Sequence, residues 1–262
     1  MKTKLIIRIL VAAVLILAGA YVWFQFRAQE SPEVGYESPT MPEAAAESEA
    51  QDADKEPVCE NQSRIFKQSD IDSGYLILVN KTHGLDRDYK PDDLSDIKYY
   101  AADRGAEGRF MRAAAADAFN SLAEEADGQG MEIVVTTAYR SYGFQATLYN
   151  NYVANDGQAA ADRYSAKPGY SEHQTGLAAD VSSASVNYRL TRDFADTEEG
   201  RWLSGNAHLF GFIIRYPDGK EDITGYLYEP WHLRYVGTKA AEYIHSHEIT
   251  LEEYIQLLEM EE

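Results

Sequence analysis

The chain has 262 residues, a formal net charge of −19 and a single cysteine. The acidic balance argues against nucleic acid as a partner and against adhesion to anionic lipid, because both recruit basic surfaces. One cysteine excludes an internal disulfide, so an exported domain of this sequence depends on its core, or on a metal, for stability.

The first 27 residues predict a membrane anchor. Lys2, Lys4 and Arg8 form a basic head, and an apolar run follows over residues 9–24. The run is close to the shortest length that spans a bilayer, and the flanking charge predicts a cytoplasmic N-terminus. A cleaved signal peptide is the alternative, since residues 18–20 form a small-residue cleavage site. We favour the anchor, and both alternatives place the rest of the chain outside the cytoplasm.

Residues 28–62 predict an acidic tether. Between positions 28 and 56 there are nine acidic residues against one lysine, together with Pro32, Pro39 and Pro42. Such a stretch cannot bury enough apolar area to offset the entropy of ordering, so we expect it to be disordered. The remaining residues, 63–262, have the size of one folded domain, which we expect to be monomeric.

The domain alternates strand and helix patterns, which predicts an α+β fold. In chain order, the predicted elements are a strand over residues 75–79, a helix over 107–126, a strand over 131–137, a helix over 144–153, strands over 177–181, 212–215 and 233–236, and a C-terminal helix. Phe110, Phe119 and Leu122 recur at near-helical spacing in the first helix. Thr250 and Glu253 have the spacing of a capping box ahead of the last helix.

Two short segments hold residues typical of a zinc hydrolase. Residues 171–180 run Ser-Glu-His-Gln-Thr-Gly-Leu-Ala-Ala-Asp, and residues 229–232 run Glu-Pro-Trp-His. A catalytic zinc takes three nitrogen or oxygen ligands from the protein and keeps a further position for water. His173, Asp180 and His232 therefore predict the ligand set of one zinc ion per chain.

Glu229 is the spare carboxylate of the second segment. Zinc lowers the pKa of a bound water toward neutrality and polarises the scissile carbonyl. A neighbouring carboxylate then takes the proton and later hands it to the leaving amine. The sequence therefore predicts Glu229 as the general base of a metallopeptidase.

The two motifs, Ser-x-His-x-x-Gly-x-Ala-x-Asp and Glu-x-Trp-His, resemble those of the VanY-like D-alanyl-D-alanine carboxypeptidases. Their superfamily also contains the lysostaphin-type peptidases and the hedgehog signalling domain. The similarity extends upstream through residues 78–81, 89–94 and 138–142, so it covers roughly residues 75–237. It implies a hedgehog/D-Ala-D-Ala peptidase-like fold, with a central, mostly antiparallel sheet and flanking helices.

The resemblance also implies roles for residues outside the predicted ligand set. Arg140 matches an arginine that lies over the substrate, where a guanidinium stabilises the developing oxyanion. Gln145 and Ser171 match positions that line the substrate pocket.

The function implied is a membrane-tethered zinc carboxypeptidase that removes the C-terminal D-Ala from peptidoglycan stem peptides. Our first expectation is a D,D-carboxypeptidase acting outside the cytoplasm of a bacterium. An L,D-carboxypeptidase or an endopeptidase of the same family remains open, because these enzymes share the zinc chemistry and differ in pocket shape.

Two other classes of protein share features with this sequence. The first is the penicillin-binding type of serine enzyme, whose Ser-x-x-Lys motif is matched by Ser95 and Lys98. Its Ser-x-Asn motif is matched by residues 185–187, but no Lys-Thr-Gly element follows. A non-catalytic zinc-binding module of the cell wall is the other alternative. The fold alone would not decide between an enzyme and such a module, because one fold can serve several functions. The presence of Glu229, the predicted base, favours an enzyme.

Overall fold

A four-stranded antiparallel sheet carries Asp180, Glu229 and His232, three of the seven residues singled out above. The computed structural model describes residues 74–101 and 106–260. The predicted anchor, the predicted tether and Cys59 lie outside these residues. Within the described ranges, no helix has both the length and the apolar character needed to cross a bilayer.

The described residues form six strands and seven α-helices, with short 3-10 helices between them. The strands are β1 (Leu94–Asp96), β2 (Phe110–Arg112), β3 (Val134–Thr137), β4 (Ala178–Ser182), β5 (Phe212–Tyr216) and β6 (Glu229–Tyr235). The helices are α1 (Ala113–Gly128), α2 (Tyr142–Asp156), α3 (Gln158–Tyr164), α4 (Glu198–Asn206), α5 (Glu221–Thr224), α6 (Thr238–Ser246) and α7 (Leu251–Met260). The 3-10 helices are Ala106–Arg109, Glu172–Thr175, Ala184–Val186, Arg192–Asp196 and Ala207–Phe210.

The main sheet has the strand order β3-β4-β6-β5, and every neighbouring pair is antiparallel. This confirms the predicted α+β class with a mostly antiparallel sheet. The register places Asp180 of β4 directly opposite His232 of β6, and Glu229 at the start of β6 opposite Tyr216. The strands β1 and β2 form a separate two-stranded sheet.

Side chains alternate between the two faces of this sheet, as strand geometry requires. Ala179, Val181 and Leu233 are fully buried in a core shared with α1. Asp180 and His232, their neighbours in sequence, therefore point to the opposite face. The apolar positions of β4 and β6 thus anchor the sheet while the intervening positions are left for chemistry.

Two helices at the end of the chain pack on a second apolar cluster. Ile213 of β5 joins Ala241 and Ile244 of α6 and Tyr254 of α7 in that cluster. The predicted capping box is confirmed by two reciprocal hydrogen bonds. The backbone N–H of Thr250 donates to Glu253 Oε2 at 2.7 Å, and the backbone N–H of Glu253 donates to Thr250 Oγ1 at 3.2 Å.

One predicted element is wrong, and another is confirmed only in part. Residues 75–79 form no strand, and the carbonyls of Tyr75 and Ile77 accept hydrogen bonds from Arg234 Nη2 at 2.9 and 2.7 Å. The predicted helix over 107–126 begins only at Ala113, because Phe110 belongs to a strand that pairs with Asp96. In both places a long-range partner for the backbone outweighs the local pattern.

The remaining differences concern the ends of elements. The strand predicted over 233–236 is longer and begins at Glu229, so the predicted base and His232 lie on one strand. The strand predicted from residue 131 begins at Val134. The predicted helix over 144–153 is confirmed within α2, whose N-terminal cap is the Ser141 hydroxyl accepting from the Phe144 N–H.

Candidate active site

Three buried side chains converge at the middle of the sheet. His173, Asp180 and His232 each offer one ligand atom, and these atoms lie within 4.8 Å of one another. The three residues are at most 5% exposed. Two imidazoles and a carboxylate form a donor set suited to a zinc ion.

His173 reaches this group from the 3-10 helix that follows Ser171. Gly176 ends that helix with a φ of +69°. Residues that carry a side chain rarely adopt this backbone conformation. A Cβ at this glycine would also lie 3.0 Å from the side chain of Leu94. The glycine of the first motif therefore allows the chain to turn from His173 directly into β4 and Asp180.

The imidazole nitrogens of the two histidines are oriented by different partners. His173 Nδ1 donates to the carbonyl of Ala138 at 2.6 Å, which leaves its Nε2 facing Asp180 Oδ2 at 3.3 Å. His232 presents its Nδ1 to Asp180 Oδ1 at 3.0 Å. The two rings meet edge to face, with centroids 5.0 Å apart. One nitrogen of each ring is thus directed at the same carboxylate.

The electrostatics of the group favour a bound cation. Burial and the nearby Arg140 guanidinium lower the pKa of His173 to about 4, so its imidazole is neutral and able to act as a ligand. Although burial favours the neutral acid, the two imidazoles hold the pKa of Asp180 well below its usual range. Burial lowers the pKa of His232, but hydrogen bonds to Asp180 and Glu172 outweigh it and raise the value to about 9. A zinc ion at Nδ1 would take the place of the proton that His232 carries there, so the residues present fit zinc in both donor type and charge.

Glu229 lies beside the three candidate ligands. Its Oε2 is 3.8 Å from His232 Nδ1, and its side chain is 19% exposed. Burial raises the pKa of Glu229 to about 7, and the positive charge on His232 opposes this rise. A carboxyl group with a pKa near neutrality can both accept and return a proton at physiological pH.

Arg140 and Gln145 form a second pair of functional candidates. The loop after β3 places Arg140 Nη2 at 3.5 Å from Asp180 Oδ2. Arg140 Nη1 donates to Gln145 Oε1 at 2.8 Å, and Gln145 Nε2 donates to the carbonyl of Ala166 at 2.7 Å. Gln145 is 1% exposed. Its amide therefore fixes the position of the guanidinium.

All seven residues singled out by the sequence border one cavity of about 540 Å³. Ser171 lines it from the loop before His173. Exposed apolar side chains also line this cavity, and these are Phe144, Tyr164, Leu190 and Leu227. The cavity therefore combines a charged centre with an apolar border.

The rival serine motif is not assembled among the described residues. Ser95 lies in β1 and Lys98 is exposed, and neither lines the cavity.

Three buried charged residues behind the candidate ligands were not predicted from the sequence. Arg215 Nε and Arg234 Nη1 donate to the same oxygen of Glu172, at 2.7 and 2.6 Å. All three side chains are 0% exposed. The available signal was the arginine within each of the apolar strands β5 and β6, since charged residues are rarely buried unless they are paired.

Comparisons with known proteins identify the class of enzyme. The family model for VanY, D-alanyl-D-alanine carboxypeptidase, matches residues 108–238. The chain is 45% identical over 183 residues to the YodJ protein of Bacillus subtilis (strain 168), which covers 69% of this chain and 67% of that protein.

Solved structures agree with this match. The LdcB LD-carboxypeptidase aligns with a TM-score of 0.67 and 45% identity over 70% of this chain and 86% of the other. A vancomycin-resistance D,D-pentapeptidase VanY, solved with Zn(II), aligns with a TM-score of 0.56 and 33% identity over 69% of this chain and 98% of the other.

The fold and these matches define a carboxypeptidase, an enzyme that hydrolyses peptides. The chain belongs to the VanY D-alanyl-D-alanine carboxypeptidase family. The expected family and the expected hedgehog/D-Ala-D-Ala peptidase-like fold are confirmed.

Proposed function

We propose that this chain is a zinc-dependent carboxypeptidase that removes the C-terminal D-Ala from peptidoglycan stem peptides. The observation that carries the proposal is the convergence of His173, Asp180 and His232 within 4.8 Å, beside Glu229 in an open cavity. The VanY relative whose structure contains Zn(II) supports the choice of metal. One zinc ion per chain is proposed.

The reaction divides among the residues by charge. Zinc held by the two histidines and the aspartate would activate a water molecule and polarise the scissile carbonyl. Glu229 accepts the proton that the water loses and returns it to the nitrogen of the leaving D-Ala. The pKa of Glu229 near 7 suits both transfers.

Arg140 supplies positive charge where the carbonyl oxygen becomes an oxyanion. Gln145 holds this guanidinium through the 2.8 Å hydrogen bond and is itself held by the backbone of Ala166. We therefore propose Gln145 chiefly as a positioning residue in the pocket wall. Ser171 contributes a polar hydroxyl to the substrate pocket.

Replacing Arg140 with Met is expected to lower kcat about 100-fold or more while zinc content stays unchanged, because a fixed charge at the oxyanion is lost. Gln145→Ala is expected to lower kcat about tenfold, since it only releases the guanidinium. Steady-state kinetics on the double variant checks the link between them. Its kcat should match that of Arg140→Met alone, and fully additive losses would contradict a positioning role for Gln145.

We place tetrapeptide stems first among the possible substrates. Identity to the LdcB LD-carboxypeptidase is 45%, whereas identity to the VanY D,D-pentapeptidase is 33%. The greater similarity supports removal of D-Ala from an L,D bond. The D,D reaction on pentapeptide stems, our first expectation from the sequence, is the second candidate, and the family match supports it.

The substrate is tested by incubating the full chain with purified tetrapeptide and pentapeptide stems and weighing the products. We expect loss of one D-Ala from both, or from the tetrapeptide alone, with kcat/KM at least about tenfold higher for the tetrapeptide. The Glu229→Gln variant serves as the control for contaminating peptidases. Release only from the pentapeptide would assign the D,D reaction, and internal cleavage would assign an endopeptidase. Intact substrates with a zinc-loaded chain would contradict the carboxypeptidase proposal.

We also propose that the catalytic domain works outside the cytoplasm on a membrane tether. This location is supported by three segments of the sequence, which are the basic head, the apolar run over residues 9–24 and the acidic tether to residue 62. An extended tether would let the active site reach stem peptides above the lipid surface.

A further inference from the structure

The carboxylate of Glu172 lies behind His232, on the side of the ring away from Asp180. We propose that Glu172 is a positioning residue that holds the His232 imidazole so that Nδ1, and not Nε2, is presented to the metal. The inference rests on the proposed function, because it takes His232 as a zinc ligand. Glu172 occupies a variable position within the first motif and was not singled out by the sequence.

The geometry around His232 distinguishes its two nitrogens. Nε2 lies 3.4 Å from Glu172 Oε2, and Nδ1 lies 3.0 Å from Asp180 Oδ1. His232 gives up one of its two ring protons when it binds a metal, so a single N–H remains on the other nitrogen. A carboxylate paired with guanidinium groups can only accept a hydrogen bond. A proton on Nε2 directed at Glu172 leaves the Nδ1 lone pair for a metal beside Asp180.

His173 shows the same arrangement with the nitrogens exchanged. Its Nδ1 donates to the carbonyl of Ala138, so its Nε2 is the nitrogen that faces Asp180. Each histidine therefore has one ring nitrogen held by the protein and one directed to the candidate site. Partners of this kind orient ligating histidines and fix their tautomer.

Two arginines hold Glu172 in place for this task. Arg215 Nε and Arg234 Nη1 both donate to Oε1, which leaves Oε2 for His232. The carboxylate is therefore paired with two guanidinium groups and clamped on one side.

The clamp extends beyond residues 108–238, where the family model matches. Arg215 Nη1 and Nη2 donate to the two oxygens of Glu252 in α7, at 2.8 and 2.6 Å. Arg234 Nη2 donates to the carbonyls of Tyr75 and Ile77. The ion cluster around Glu172 thus includes residues before and after the matched region.

A purely structural role predicts a different outcome from a positioning role. If Glu172 only neutralises the arginines, any variant of the ion cluster should cost stability alone. If Glu172 positions His232, variants of Glu172 should weaken metal binding, whereas a variant at the far end of the cluster should not. Glu252 is the matched position, since it contacts Arg215 and does not contact His232.

The test compares Glu172→Asp, Glu172→Gln and Glu252→Gln in the full chain. Zinc affinity is measured by competition with a chromogenic chelator, and the ligand geometry is followed by the visible spectrum of the Co²⁺-loaded protein. Both Glu172 variants are expected to bind zinc about 10- to 100-fold more weakly and to alter the Co²⁺ spectrum. Glu252→Gln is expected to lower Tm and to leave zinc affinity within about twofold of the unaltered chain.

Unchanged zinc affinity in a folded Glu172→Asp variant would overturn the inference, and so would an equal loss of affinity in Glu252→Gln. If neither Glu172 variant folds, nitrogen NMR of the unaltered, zinc-loaded chain decides the matter. A proton on His232 Nε2 supports the inference and a proton on Nδ1 overturns it. Failure of the unaltered chain to bind zinc is a separate result, since it would contradict the proposed function as well.

Discussion

His173→Ala and His232→Ala are each expected to abolish stoichiometric zinc binding and to lower kcat/KM about a thousandfold or more. Each change removes one of the three ligands, so the chain loses the metal that activates water and polarises the carbonyl. The charge stabilisation that this metal gives the transition state amounts to several kcal/mol. Zinc content by elemental analysis and kcat/KM on stem peptides are the measurements. Zinc should raise the Tm of the unaltered chain, and this rise should be lost in both variants, because a metal that binds only the folded state stabilises it.

The matched control is His247→Ala, which removes an exposed histidine of the same chain. It should keep one zinc per chain and normal turnover. A chelator should reproduce the loss of activity in the unaltered chain, and added zinc should restore it. Full zinc occupancy in a variant lacking both His173 and His232 would refute the ligand assignment.

Glu229→Gln is expected to lower kcat by about 10²- to 10⁴-fold while the chain stays folded and zinc-loaded, because an amide cannot take the proton from water. Glutamine keeps nearly the same shape, so substrate binding should change little. Single-turnover kinetics on stem peptides and zinc analysis of the same sample are the measurements. Near-normal turnover in the metal-loaded variant would exclude Glu229 as the base.

The same substitution should stabilise the metal-free protein at neutral pH. Burial raises the pKa of Glu229 from 4.5 to about 7. Above pH 7, keeping this group ionised in the folded state therefore lowers the free energy of unfolding by up to about 3 kcal/mol. The cost is absent below pH 4.5, where the carboxyl is protonated in both the folded and the unfolded states, and it grows as pH rises toward 7. Urea unfolding of the two metal-free proteins should therefore give equal stabilities near pH 4 and favour the variant near pH 8.

This pair of results would separate catalysis from stability at one position. A group held near neutrality by burial is useful to the reaction and unfavourable to the fold, as is common for residues in active sites. A Glu229→Gln variant that loses both activity and stability at pH 8 would indicate a structural role instead.

Local sequence patterns were sufficient for several features of this chain. The spacing of His173 and Asp180 spans one short turn and one strand, so their proximity follows from the chain itself. Thr250 caps the helix that follows it, as predicted, because this capping depends only on neighbouring residues. The family resemblance was carried by the two motifs and the similar segments upstream of them, and it is confirmed by the match over residues 108–238.

Tertiary structure decided what depends on partners distant in sequence. The sheet register sets Asp180 opposite His232, 52 residues away, and extends β6 to Glu229. Residues 110–112, predicted as part of the first helix, form β2 because their backbone pairs with β1. The segment over 75–79, predicted as a strand, has its carbonyls hydrogen-bonded to Arg234 instead. The arginines in β5 and β6 hinted at buried charge, but their pairing with Glu172 was decided by the fold, because a buried charge is tolerable only where opposite charges are brought to it. The sequence by itself therefore determined which groups are available for chemistry, and the long-range pairing of strands and charges decided how they are held.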